Sequence, residues 1–332
     1  MNAVTNSGSE PLLSVSDLRV SFGSMRGDLV AVDGVDFEVG PGEVLGIAGE
    51  SGSGKSVTLR SILRLVQPPG RVSGQVMWRG RDLMTLPEPE LRRVRGGEIG
   101  VIFQEPMTAL NPVLTVGLQI RENLKEHTDL DAAGRHARAI ELMDQVGIPA
   151  GKTRLDDYPH QFSGGMRQRA MIAIALASNP RLLLADEPTT ALDVTIQDQI
   201  LKLILRLRSE LNMSVILVTH DLGVIAQTCD RLAVMYAGRV VETGPVVALF
   251  RQPRHAYTLG LLNSVPRAGL VRQPLASIPG QPPLLSLLPS GCAFQPRCRF
   301  AIPACGDGPP PLIEVAPDHR SACLCHRAVA GV

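Results

Sequence analysis

Residues 12–22 (LLSVSDLRVSF) alternate apolar and polar positions, the period of a strand with one face buried and the other wet. Residues 35–39 (VDFEV) keep the same period and predict a second strand. The pattern then changes. Residues 43–48 (EVLGIA) are almost continuously apolar, as in a strand covered on both faces, and lead through a glycine-rich turn into a helix predicted over residues 56–65. Residues 115–147 are charge-rich, with apolar positions at Leu118, Ile120, Leu124, Ile140, Leu142 and Met143 in helical recurrence. Residues 166–177 predict a helix of small residues, and residues 182–185 and 215–218 two more covered strands. There is no repeat at a solenoid period. Strands alternating with helices predict an α/β fold.

Composition changes this picture in the last quarter. Of 26 prolines, half lie at or after Pro253, which places a boundary near residue 250. Residues 1–250 are expected to form one domain, and residues 251–332 a loop-rich tail with little apolar core of its own. The chain is 44% apolar and 20% charged, a globular rather than disordered balance. A net charge of +1 provides no global field to recruit nucleic acid or anionic lipid. No apolar run approaches the roughly 18–20 residues of a membrane span. The first residues, MNAVTNSGSE, lack a basic and an apolar region, predicting no secretory signal and a cytosolic location. Any membrane role is then expected to come through a partner.

The chemistry is concentrated in a few segments. Residues 49–56 read GESGSGKS, the G-x-x-x-x-G-K-[ST] spacing between a buried strand and a helix. Gly49, Gly52 and Gly54 let successive amides converge on a phosphate, with Ser51, Ser53 and Val57 counted among the nucleotide-binding positions. Lys55 reaches the β- and γ-phosphates, and Ser56 offers a hydroxyl to Mg²⁺. Residues 182–187 read LLLADE. By itself that is most simply a strand ending in solvated acids. Behind GESGSGKS it predicts Asp186 as a Mg²⁺ ligand through water and Glu187 as general base. His220, closing VILVTHD, is either a polar strand cap or a sensor of the γ-phosphate. Residues 162–169 (FSGGMRQR) place Ser163, Gly164 and Gly165 at a second helix N-terminus suited to an anion. Two phosphate grips on one chain make sense if the second closes over a nucleotide held by a partner.

Together these segments resemble the ABC transporter ATPases over residues 12–245. GESGSGKS is similar to their Walker A loop, LLLADE to Walker B and FSGGM to the signature. Gln104 in VIFQEP is similar to the Q-loop glutamine, which also ligates Mg²⁺. Ala191, Leu192 and Asp193 resemble the D-loop, His220 the switch histidine, and Phe22 the aromatic that stacks on adenine. The resemblance implies a P-loop NTPase core, with a mixed sheet and a helical subdomain over about residues 105–178. It also implies a sandwich dimer that hydrolyses ATP with Mg²⁺, with Asp193 near the nucleotide. Non-transport members, in DNA repair or translation, carry long coiled coils or two cassettes, neither of which is present.

Met166 departs from the general signature, but FSGGMRQR resembles the form of the oligopeptide and dipeptide permease branch. Residues 253–266 (PRHAYTLGLLNSVP) and 278–298 (IPGQPPLLSLLPSGCAFQPRC) are similar to that branch's C-terminal extension, with His255, Ala256 and Tyr257 in place of His-Pro-Tyr. The implied partners are a second, paralogous ATPase, two transmembrane permease subunits and an extracytoplasmic peptide-binding protein at the cytoplasmic face of the membrane; no nucleic acid is implied. Nickel, glutathione or another small solute stays open as cargo.

Of six cysteines, Cys229 stands alone and is read as a buried apolar residue; the others lie in the tail. In a reducing cytosol such clustering favours ligation over disulfides. The spacing C-x₅-C-x₆-C-x₁₇-C is neither a zinc pair nor a ferredoxin run. Some members of the resembled branch carry a [4Fe–4S] cluster here, which implies Cys292, Cys298, Cys305 and Cys323 as ligands. Zinc and unligated thiols stay open, with Cys325 a substitute for Cys323 and His319 and His326 as spare donors.

Overall fold

The computed structural model describes residues 10–24, 27–190, 192–265 and 277–332. Residues 1–9, on which the reading of no secretory signal rests, and Ala191 of the predicted D-loop lie outside these. The strands in chain order are β1 (Leu13–Ser24), β2 (Gly27–Val39), β3 (Val44–Ala48), β4 (Gly70–Trp78), β5 (Arg81–Asp82), β6 (Ile99–Ile102), β7 (Leu182–Asp186), β8 (Ser214–Val218), β9 (Arg231–Tyr236), β10 (Arg239–Pro245), β11 (Ile313–Ala316) and β12 (His319–Ser321). The predicted second strand thus starts earlier than residue 35, because β2 pairs along the whole of β1, from Ser24↔Gly27 to Leu13↔Val39. The chain divides into two compact units, one of residues 1–40, 44–85 and 218–332, the other of 41–43 and 86–217.

The first unit contains an antiparallel sheet in the order β2-β1-β4-β5 and a run of strands in the order β11-β12-β10-β9-β3. Only β3–β9 in that run is parallel, with Leu45 opposite Arg231 and Ala48 opposite Val234. All five residues of β3 are buried, as their unbroken apolar run requires. Helix Lys55–Ile62 follows directly. The tail is better packed than its prolines suggest. Its Tyr257, Phe294 and Val329 share one apolar cluster with Leu222, Ile225, Val234 and Tyr236. The strand pair β11–β12 extends the sheet from β10, where Glu242 faces Ser321. The aromatic residues that do this are isolated in the sequence, so no periodicity announces them.

In the second unit β8, β7 and β6 lie side by side in that order, with β6 and β7 parallel. β7 and β8 are wholly buried. Helices Val116–His127 and Ala132–Gln145 fill the charge-rich region, and Gly164–Leu176 is the small-residue helix. Short polar side chains set where helices begin. Thr115, Asp131, Ser163 and Asp193 each accept a hydrogen bond from a backbone N–H of the first turn. Among the described residues no helix is long and apolar enough to cross a membrane.

Candidate functional site

In the first unit the strand β3 ends at Ala48 and the GESGSGKS loop turns into the Lys55–Ile62 helix. Gly54 caps that helix in the left-handed region (φ 100°), where a Cβ would stand 2.6 Å from the Ala31 carbonyl oxygen. At Gly49 a Cβ would stand 2.2 Å from the Met235 carbonyl oxygen, so neither position admits a side chain. The buried Lys55 ammonium donates to the carbonyls of Gly49 (2.8 Å) and Glu50 (2.9 Å) and to Ser53 Oγ (3.4 Å). Ser53 is buried, its N–H bonded to the Glu50 carbonyl, while Ser51 and Gly52 are exposed and Ser56 and Val57 half-buried. This is a tight turn opening a helix, with its one cation folded across it, the arrangement that binds phosphate. Phe22 is half-buried on β1, its ring edge where a Gly70 side chain would collide. His220 is exposed just after β8.

The second unit holds the acidic pair. Asp186 is buried at the end of β7 and Glu187 follows it in the left-handed region (φ 46°). Glu187 Oε2 accepts from Gln104 Nε2 at 3.2 Å and from Thr190 Oγ1 at 2.7 Å. Gln104 and Glu187, 83 residues apart, are therefore brought together, a contact the sequence reading did not specify, and Thr190 is a partner it missed. Ser163 and Gly164 are exposed at the start of the Gly164–Leu176 helix, and Ser163 Oγ accepts from Met166 N at 3.3 Å. Gly165 is pressed against the next helix, 3.1 Å from Ile196 Cγ2 for an added Cβ. Asp193, expected near a nucleotide, caps the Val194–Leu211 helix by accepting from Ile196 N at 3.0 Å.

The chain as a whole is similar to known proteins. Residues 32–190 match the ABC transporter family model, and residues 241–305 the model of the oligopeptide/dipeptide transporter C-terminal region. A putative peptide import ATP-binding protein of Brucella melitensis is 50% identical, over 97% of this chain and 99% of that protein. The oligopeptide transport ATP-binding protein OppD of Escherichia coli K12 is 48% identical, over 95% of this chain and 93% of its own length. Among solved structures, the dimeric post-hydrolysis state of the ATP-binding cassette MJ0796, bound to ADP and phosphate, superposes with a TM-score of 0.64 at 30% identity. It covers 70% of this chain and 98% of its own. The chain belongs to the ABC transporter ATP-binding proteins. It is an ATPase with the mixed α/β fold of that family.

The tail of this ABC ATPase adds two features. Cys292, Cys298, Cys305, Cys323 and Cys325 all line one small cavity, of about 10 Å³, beside Phe294. Burial pushes the Cys292, Cys298 and Cys325 thiols up, and that of Cys323 to about 12. Among the described residues no group of three or more His, Cys, Asp or Glu side chains is placed to hold a metal ion as it stands. The cavity accommodates the five thiols as apolar groups, and Cys325 Sγ donates to the Phe300 carbonyl. Thiolates are soft donors, so side chains of this chemistry converging on one cavity would suit iron or zinc once ionised. Cys229 lies apart, packed on Gly46 of β3, its thiol raised to about 12 by burial. The spare donor His319 is engaged elsewhere, its Nε2 2.7 Å from the buried Glu242.

The second feature is a set of contacts to the phosphate loop. Arg297 grips Glu50 with both arms of its guanidinium, and the Tyr257 hydroxyl accepts from Glu50 N at 2.7 Å. No local signal pairs positions 247 or 207 residues apart, so sequence reasoning passed over both contacts.

Proposed function

We propose that this ABC ATPase energises the import of di- or oligopeptides. The observation that carries the reading is the succession, within one chain, of an ABC transporter match and an oligopeptide/dipeptide transporter C-terminal match. The relatives named above are called peptide import and oligopeptide transport proteins, which favours peptides over nickel, glutathione or another solute. In this reading the cassette gives way to the extension near residue 250, although residues 218–332 pack as one continuous part of the first unit.

Two such cassettes, this one and a paralogous ATPase, would close head to tail over ATP at the cytoplasmic face of the membrane. Lys55 and the amides of residues 49–57 bind the phosphates, and Phe22 stacks on adenine. Ser163, Gly164 and Gly165 grip the γ-phosphate of the nucleotide held by the partner, with Asp193 alongside. Mg²⁺, which neutralises phosphate charge when bound, is assigned Ser56, Gln104 and, through water, Asp186 as ligands. Glu187, oriented by Gln104 and Thr190, takes the proton of the attacking water, and His220 hydrogen-bonds the transferring phosphoryl. Hydrolysis removes the shared anion and the pair opens, moving two permease subunits fed by an extracytoplasmic binding protein.

In the tail, Cys292, Cys298, Cys305 and Cys323 are assigned to a [4Fe–4S] cluster, supported by their convergence on one cavity with Cys325 in reserve. Protein purified without oxygen should be brown, and Cys298→Ser should bleach it; a colourless protein with stoichiometric zinc refutes the cluster. Transport is tested by isolating the complex from native membranes and reconstituting it in vesicles. ATP-dependent uptake of labelled di- and oligopeptides is expected. Uptake of nickel or glutathione with no peptide uptake would overturn the peptide reading.

A further inference from the structure

Glu50 is the second residue of the phosphate loop, and its side chain has no part in the amide cradle. It is nevertheless held firmly. Arg297 Nη1 donates to its Oε2 at 2.7 Å and Nη2 to its Oε1 at 3.0 Å, a bidentate fork. Its N–H donates to the Tyr257 hydroxyl at 2.7 Å, and its carbonyl accepts from Lys55 Nζ and Ser53 N.

The two anchors are themselves rigid. The Arg297 side chain is 6% exposed. Its Nε donates to the Pro279 carbonyl at 2.9 Å and Nη1 to the Tyr236 hydroxyl at 3.2 Å. Its guanidinium carbon lies 5.9 Å from the Tyr236 ring centre and 5.8 Å from that of Phe294. Tyr257 is fully buried, with its ring centre 4.6 Å from Tyr236 and 5.4 Å from Phe294. Both anchors lie C-terminal to residue 250, beyond the segment that supplies the nucleotide motifs.

Two physical consequences bear on nucleotide binding. A loop fixed before the phosphate arrives loses little conformational entropy when it binds. A carboxylate in the phosphate loop would repel a triphosphate, and the Arg297 fork cancels that charge at its source. Both effects act on affinity rather than on the chemical step. We propose that Arg297 and Tyr257 are positioning residues for the phosphate loop, holding Glu50 in place and neutralised so that the loop is formed for ATP. The proposal rests on the ATP-binding reading of GESGSGKS.

The test is titration of the purified full-length chain with a fluorescent, non-hydrolysable ATP analogue and Mg²⁺. Arg297→Ala should raise the Kd about tenfold, since it frees the loop and leaves the Glu50 charge bare. Adding Glu50→Gln to that variant should recover a good part of the loss, because the repulsion goes with the charge; a purely structural defect would not be rescued. Tyr257→Phe, which removes one hydroxyl from a ring that stays packed, should raise the Kd roughly threefold. Wild-type Kd in both Arg297→Ala and Tyr257→Phe would overturn the proposal, as would an Arg297→Ala defect that Glu50→Gln leaves unchanged. Should Arg297→Ala fail to fold, wild-type Kd in Tyr257→Phe alone overturns it. Failure of the unsubstituted chain to bind the analogue would instead sink the ATP reading of the loop.

Discussion

Replacing Glu187 by glutamine separates the chemistry of this site from its architecture. Glu187 Oε2 accepts from Gln104 Nε2 and from Thr190 Oγ1, and the backbone there is left-handed. A glutamine oxygen can take the place of Oε2 and accept from both of these donors, so these two hydrogen bonds are kept and the backbone strain is unchanged. Stability should therefore stay within about 0.5 kcal/mol of the original. What is lost is a group able to take a proton. Removing a general base typically costs about 10²–10⁴-fold in rate, or roughly 3–5 kcal/mol on the barrier. Phosphate release by the assembled transporter should fall by that factor while ATP is still bound, and the paired cassettes should persist in the closed form on size exclusion with ATP. Thr190→Val, which removes only the 2.7 Å orienting bond, should slow turnover by a smaller factor, about three- to tenfold. Undiminished turnover in Glu187→Gln would refute the assignment of the base. A lost affinity for ATP, with turnover restored at saturation, would show that Glu187 serves binding instead.

Two further predictions concern the buried polar group that joins the tail to β10. Glu242 is fully buried and accepts from Arg254 N at 2.6 Å, His255 N at 2.9 Å and His319 Nε2 at 2.7 Å, so Glu242→Ala strands three donors. It should cost about 3–5 kcal/mol, read as a lower midpoint in urea unfolding, and an unchanged midpoint would contradict this account. His255 is fully buried, and burial lowers its pKa to about 4 against an ordinary 6.5, with the Glu242 charge opposing the shift. Between those values the unfolded chain binds a proton that the native one does not. Stability from this residue is thus complete above pH 6.5 and falls, by up to about 3 kcal/mol, as the pH drops towards 4. Unfolding free energies measured across that range should show the decline, and His255→Asn should flatten it.

Much of the site was legible because its chemistry is local. A phosphate loop needs glycines and a lysine within eight consecutive residues, and a covered strand ending in acids shows as LLLADE. A helix that opens on an anion must begin with residues such as Ser163 and Gly164. Of the helix starts at Thr115, Asp131 and Ser163, whose side chains each cap their own first turn, only the one at Ser163 was read from the sequence; the break before Asp131 within residues 115–147 was not. The tail was less legible. Its packing depends on Tyr236, Tyr257 and Phe294, scattered aromatics whose rings meet within 4.6–5.4 Å and leave no period behind. The convergence of five cysteines on one cavity was suggested by their crowding but not placed by it.

The sequence alone pointed to the class of reaction, the phosphate-binding loop and the strands β1, β2, β3, β7 and β8, because these show in spacings of a few residues. Only the tertiary structure decided that Gln104 and Thr190 share one oxygen of Glu187, that Asp193 spends its carboxylate as a helix cap, and that Arg297 and Tyr257 hold Glu50. The pairs Gln104–Glu187, Arg297–Glu50 and Tyr257–Glu50 join positions far apart along the chain, and their energy exists only once folding has met the entropy of bringing them together. The Thr190 and Asp193 contacts are local but depend on the backbone conformation the fold imposes there.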